Sequence, residues 1–363
     1  MIEEHLTVAG EPLAELAHRL AGARTGRWSE DGTGRWSEDG TGRWSEDGTR
    51  ALVHELGLHW EHVTDPASAG GPRLRPVGPS ERRHVDEEAY LELAVTVASA
   101  GPDAAGQVRA FGRARSELTA ALGEASVIGS YGLLGPYYGS TAAWGSPFLR
   151  WRGERDTLEL RAGRQGPELV LEPTAPLENW YCSLGHGEEG AIGGFLGRRS
   201  GPSTAGLSLP GRWSARSWET LTASLATFFA TLPAEFAALG IAKIMRLYGR
   251  VGGTAPRLFD IDADSRLMLA SFADSDLGPE SFGWGTVAEH PRTTETWADP
   301  YDPGWRFDGG GPGVPAGRAL AEMVVATARA QGVASVDDLL LGGEAEDIGP
   351  YRVTFYGRGL TTV

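Results

Sequence analysis

Four short stretches carry residue types that could do chemistry. HELGLH, residues 54–59, holds two histidines and a glutamate. A zinc-binding helix needs its histidines four apart, so that both imidazoles leave one face. Here the spacing is five, Gly57 breaks the helix between them, and Leu58 stands where the second ligand belongs. DIDAD, residues 260–264, opens like a calcium loop. That loop needs Gly at its sixth position and Glu at its twelfth, and this chain has Ser265 and Ser271 there. A hairpin explains the stretch better. DGGGPGVPAGRALAE, residues 308–322, is glycine-rich and leads into a helix, but Pro312, Arg318 and Ala319 replace residues that a phosphate loop requires. NWYCSLGHGEEG, residues 179–190, brings Cys182 near His186. Catalytic Cys and His come from distant parts of a chain, and Trp180 and Tyr181 favour an inert, buried thiol. No GxSxG marks a serine hydrolase. The expectation is a protein with no metal, no cofactor and no catalytic residue.

What remains is a pattern of charge. From Asp260 to Asp308 there are eleven acidic residues and three arginines, Arg266, Arg292 and Arg306. The same stretch carries Phe282, Trp284, Trp297, Tyr301, Trp305 and Phe307. Aromatics beside carboxylates suit a protein interface, although they also suit a solvated loop folded over a sheet. On the interface reading the partner-binding residues are Asp260, Asp262, Asp264, Asp274, Asp276, Glu280, Trp284, Trp297, Asp299 and Trp305. Their partner would be a basic protein.

Composition agrees. The net charge is −15 and the pI about 5.0, which argues against a nucleic-acid footprint. One cysteine excludes an intrachain disulfide. The first residues, MIEEHLTVAGEPL, are not a signal peptide. No apolar run approaches the roughly 18–20 residues that span a bilayer. These features point to a cytoplasmic protein with no membrane partner.

The elements that would position these residues follow from periodicity. Helical spacing covers 11–22, 49–57 and 103–122; strands are expected at 58–63, 73–77, 90–98, 148–152, 157–163 and 168–173. The first part is read as α-β-β-β-α-β-β, with the short helix at 49–57 and the strand at 168–173 additional to that order. GRRSGPSTAGLSLPG, residues 197–211, is a linker composition. Beyond it a helix spans 215–232 and is expected to end at Pro233. Strands follow at 241–248, 256–261 and 266–273, then an irregular stretch to 312, a helix from 315 to 331, a short capped helix at 335–338 and a strand at 351–357. The expected fold is α+β in two domains, 1–196 and 212–363, each with helices on a mainly antiparallel sheet.

Residues 25–48 write TGRWSEDG three times without a change. Ser followed by acids suits a helix start, and only the last copy precedes a helix. The repeat is read as a tandem duplication tolerated in a surface loop, in preference to three tryptophan-bearing binding beads.

GRWSARSWETLTASLATFFATLP, residues 211–233, resembles the opening helix of immunity proteins from bacterial polymorphic-toxin systems, in which a Trp precedes an Arg and a leucine-striped helix. SPFLRWRGERDTLELRAG, residues 146–163, with Trp44 ahead of ELGLHW, is similar to actinobacterial domains of unknown function. The first resemblance implies a cytoplasmic protein that binds and blocks a cognate toxin. A nuclease toxin has a basic cleft, and an acidic surface would be steered to it. Two other readings stay open. One is an enzyme with a site between the domains, using Asp260, Asp262, His290 or Cys182; the other is a chaperone-like scaffold.

Overall fold

The structure, a computed structural model, describes residues 7–8, 11–23, 54–56, 73–77, 90–133, 135, 142–174, 177–178, 194–207, 215–272, 275–277, 279–286, 305–311, 317–355 and 360–362. The octapeptide repeat and the strand expected at 58–63 lie outside them.

The leucine alternation in the first part builds one large sheet. In chain order its strands are β3 (Arg73–Val77), β4 (Tyr90–Thr96), β5 (Val127–Ser130), β6 (Pro147–Arg152), β7 (Asp156–Ala162), β8 (Pro167–Pro173), β9 (Phe195–Arg199), β16 (Asp347–Ile348) and β17 (Tyr351–Phe355). They pair antiparallel in the order β16-β17-β9-β5-β6-β7-β8-β4-β3. A strand sends alternate side chains to opposite faces. One face therefore gathers Leu149, Leu158, Leu160, Leu169 and Leu171, all buried. Against it packs α2 (Ala104–Leu122), whose buried residues include Phe111, Ala114 and Leu118, and α1 (Leu13–Ala23), with Leu13, Leu16 and Leu20 buried in the same cluster, packs on α2. Asp103 caps α2 by accepting the Gly106 N–H at 2.7 Å.

The second sheet runs β13-β14-β12-β11-β10-β15-β18. Its strands are β10 (Lys243–Gly249), β11 (Arg257–Ala263), β12 (Leu267–Ser271), β13 (Gly285–Thr286), β14 (Trp305–Gly310), β15 (Leu339–Leu341) and β18 (Thr361–Thr362). Met245, Leu247, Phe259, Ile261, Leu267 and Leu269 form its inner face. A separate two-stranded ribbon, β1 (Thr7–Val8) with β2 (Glu11–Pro12), precedes α1.

Between the two sheets lies α3 (Trp218–Leu239), which touches α2 and β6 on one side and β11, β12 and α4 (Gly317–Ala330) on the other. Contrary to the expectation that no apolar run reaches a bilayer span, α3 is long and apolar enough to cross a membrane by length and composition. Here that composition serves a buried core helix. The expected stop at Pro233 does not occur: the helix runs through it to Leu239 and ends at Gly240, whose φ is +64°. Proline removes one helical N–H, and burial of Phe228, Phe229, Leu232 and Phe236 around it outweighs that loss.

The α+β class holds, with helices on mainly antiparallel sheets. The sheets do not follow the expected division at 197–211. Residues 197–199 are the end of β9, and β17, from beyond that linker, pairs with β9 from Tyr351 opposite Arg199 to Phe355 opposite Phe195. The buried apolar residues of both sheets form one connected cluster.

Candidate functional site

β11 places Asp260 and Asp262 on the outer face of the second sheet, away from the core residues Phe259 and Ile261. The two carboxylates meet different surroundings. Asp260 is 2% exposed and is held by a two-pronged ion pair with Arg257, whose Nε donates to Oδ1 at 2.7 Å. The same guanidinium lies 4.4 Å over the Phe272 ring. Asp262 is exposed. Its cross-strand neighbours are Ile244 on β10 and Met268 on β12, both half-buried and neither able to pair with a charge. Partial desolvation, and then the nearby Asp264, push its carboxyl above the usual range. It has no ion-pair partner among the described residues.

Asp264 closes the hairpin from β11 to β12 by accepting the Arg266 N–H at 2.7 Å, as the hairpin reading of DIDAD expects. Asp308 on β14 pairs with the Arg266 guanidinium and accepts the Gly310 N–H at 2.9 Å. Asp276 is exposed on the short turn Ser275–Leu277.

Two residues expected in an interface are interior. Trp284 is 2% exposed. Its ring stacks on Phe259 at 5.9 Å, and its N–H donates to Thr327 Oγ1 on α4 at 2.8 Å. It closes the end of the core instead of facing a partner. Asp260, fixed to Arg257, is likewise withdrawn from solvent. Asp274, Trp297 and Asp299 lie outside the described residues, as do Cys182 and His290; Glu280 and Trp305 fall within described elements. Among the described residues no group of three or more His, Cys, Asp or Glu side chains is placed to hold a metal ion. His54 and Glu55 are exposed, and His59 is outside the described set.

The structure also assembles a cluster that the sequence reading missed. The second face of the large sheet carries Phe148 and Arg150 from β6, Thr157, Glu159 and Arg161 from β7, and Glu168 and Glu172 from β8, all buried. Arg150 stands directly across from Glu159, and Arg161 from Glu168. The Arg150 Nε lies 2.6 Å from Glu159 Oε2. The Tyr131 hydroxyl lies 2.7 Å from both Glu159 oxygens and accepts from Arg150 Nη2 at 2.8 Å. The Arg150 guanidinium also covers the Phe148 ring at 4.2 Å. Burial pushes the Tyr131 phenol well above its ordinary range. Arg150 and Glu159 are 2% and 0% exposed, so the triad has no route to a substrate and acts as a charge-balanced internal brace. The signal was present in DTLELRA and PELVLEP, where Glu159, Arg161, Glu168 and Glu172 share the positions that alternate with the leucines. Such alternation ordinarily means one solvated face, and burial of that face leaves no trace in the pattern.

Comparison with known protein families, with curated proteins and with solved structures gave no match to this chain.

Proposed function

We propose that this chain is a non-enzymatic binding protein that engages a cationic protein through the outer face of its second sheet. The partner on this reading is a toxin domain that the chain neutralises in the cytoplasm. The observation that supports it is Asp262, an exposed, unneutralised carboxylate between two half-buried apolar side chains. Its neighbours Asp260 and Asp308 already hold arginines, and Asp264 adds a second open negative charge. An interface core of this kind, apolar anchors with a charge to be matched, suits a partner presenting Arg or Lys. The acidity of the chain and the resemblance of residues 211–233 to immunity proteins lend further support.

The test is affinity capture of the tagged chain from its host's lysate, with salt elution and mass spectrometry. A single stoichiometric basic protein, released by salt, is the expected result. Asp262→Arg combined with Asp264→Arg should lower its affinity at least tenfold while the melting temperature stays within a few degrees. Unchanged affinity in that variant removes this face from the reading.

A further inference from the structure

Two of the carboxylates along the outer face of the second sheet are already matched within the chain. Asp260 has Arg246 on β10 and Ala270 on β12 as its cross-strand neighbours, and Arg257 grips its carboxylate. The next row across the strands runs Ile244, Asp262, Met268 and Asp308, and Asp308 at its far end holds Arg266. Within these two rows Asp262 alone stands between apolar side chains, both half-buried. Asp264 follows two residues on, beside the hairpin turn that it closes. The open negative charge is therefore local. It is one carboxylate with a second roughly 6–7 Å along the strand, and not a field spread over the sheet.

A single charge in an apolar surround calls for a particular occupant. An arginine lays its methylene stem on apolar surface while its head stays with a charge. Its planar fork of donors can serve two carboxylates, where an ammonium acts as a point charge. Asp262 is already partly desolvated in the free chain, so less hydration remains to be lost when a cation arrives. We propose that the outer face takes one arginine of its cationic protein partner as an anchor, with the stem across Ile244 and Met268 and the guanidinium between Asp262 and Asp264. This rests on the binding reading above and narrows the contact from a basic cleft to a single side chain.

The experiment uses the full chain and the basic protein recovered in the capture above, with association and dissociation rates read by surface plasmon resonance at low and high salt. A desolvated charge pair acts on the dissociation rate, whereas a spread field acts on the association rate and its salt dependence. Asp262→Asn is expected to speed dissociation about tenfold or more and to leave association within about twofold. Met268→Ala, or Ile244→Ala where the first disturbs the circular dichroism, is expected to speed dissociation several-fold. One Arg→Lys substitution in the recovered protein is expected to repeat the Asp262→Asn loss and to add little to it when the two are combined. The anchor is overturned, with the binding reading intact, if Asp262→Asn leaves dissociation unchanged or if the apolar variants alter neither rate. It is overturned in the same way if every Arg→Lys variant is additive with Asp262→Asn. Recovery of no basic protein, or full affinity in Asp262→Arg with Asp264→Arg, overturns the reading itself and the anchor with it.

Discussion

Arg150 lies across from Glu159 in the β6–β7 register, and both share Tyr131 as a hydrogen-bonding neighbour. Removing one partner leaves the other charge buried without compensation. Glu159→Ala should therefore cost about 3–5 kcal/mol in urea unfolding. Arg150→Met combined with Glu159→Leu should recover much of that loss, because no charge then remains to be desolvated. Equal losses in the single and double variants would contradict this account of the brace. Two tyrosines carry a second expectation. Burial, with Glu124 adding to it against Arg199, raises the Tyr351 hydroxyl to about 12, and Tyr131 is raised also. An acid whose folded value exceeds its unfolded one keeps its proton longer in the native state. Stability is then lost as pH rises from the ordinary tyrosine value of about 10 toward 12. Spectrophotometric titration should find these phenols ionising together with unfolding, after the exposed ones. For Asp262 the raised value has a different consequence, because its charge costs more in the folded chain than in the unfolded one. Asp262→Asn should melt slightly higher than wild type at pH 7, with the gap closing as pH falls through the carboxylate range.

At the scale of elements, caps and periodicity were legible and burial was not. Helix α2 begins after Asp103 as its spacing requires, and β3, β6, β7 and β8 lie within a residue or two of where alternation puts them. β5 (VIGS) and β9 (FLGRR) went unread, because four or five residues with a glycine give too short a pattern. Gly197 is itself close-packed, with a Cβ there meeting Ile128, Tyr351 and Val353 at 3.1 Å. Pro233 misled in the other direction, since a local rule for helix ends yields to a helix surrounded by core. The acidic stretch was legible as acidity, but not in its pairing. Nothing in DIDAD distinguishes Asp260, which holds Arg257, from Asp262, which holds nothing. For α3 the cap is the testable end. Ser217 accepts the Thr220 N–H at 3.1 Å, and Ser217→Ala should cost about 1 kcal/mol in the same unfolding assay.

At the scale of the molecule, one buried carboxylate ties the central helix to the large sheet. Glu235 of α3 accepts the Ser130 hydroxyl at 2.7 Å and the Ser146 N–H at 3.0 Å. Glu235→Ala should cost about 2–3 kcal/mol, since charged hydrogen bonds and a filled site are lost together. Because α3 also packs the second sheet, fluorescence and circular dichroism should still report one coincident transition in wild type.

The pairing of β17 with β9 joins residues 195–199 to residues 351–355. On the ribosome, β9 emerges roughly 150 residues before its neighbour, which at about 5–20 residues per second leaves its flank waiting for roughly 8–30 seconds. The large sheet cannot close while the second one is still being made. A nascent chain of this protein is thus committed late, and a stop anywhere between β9 and β17 yields an unfinished sheet for the cell's proteases to find instead of a smaller working protein.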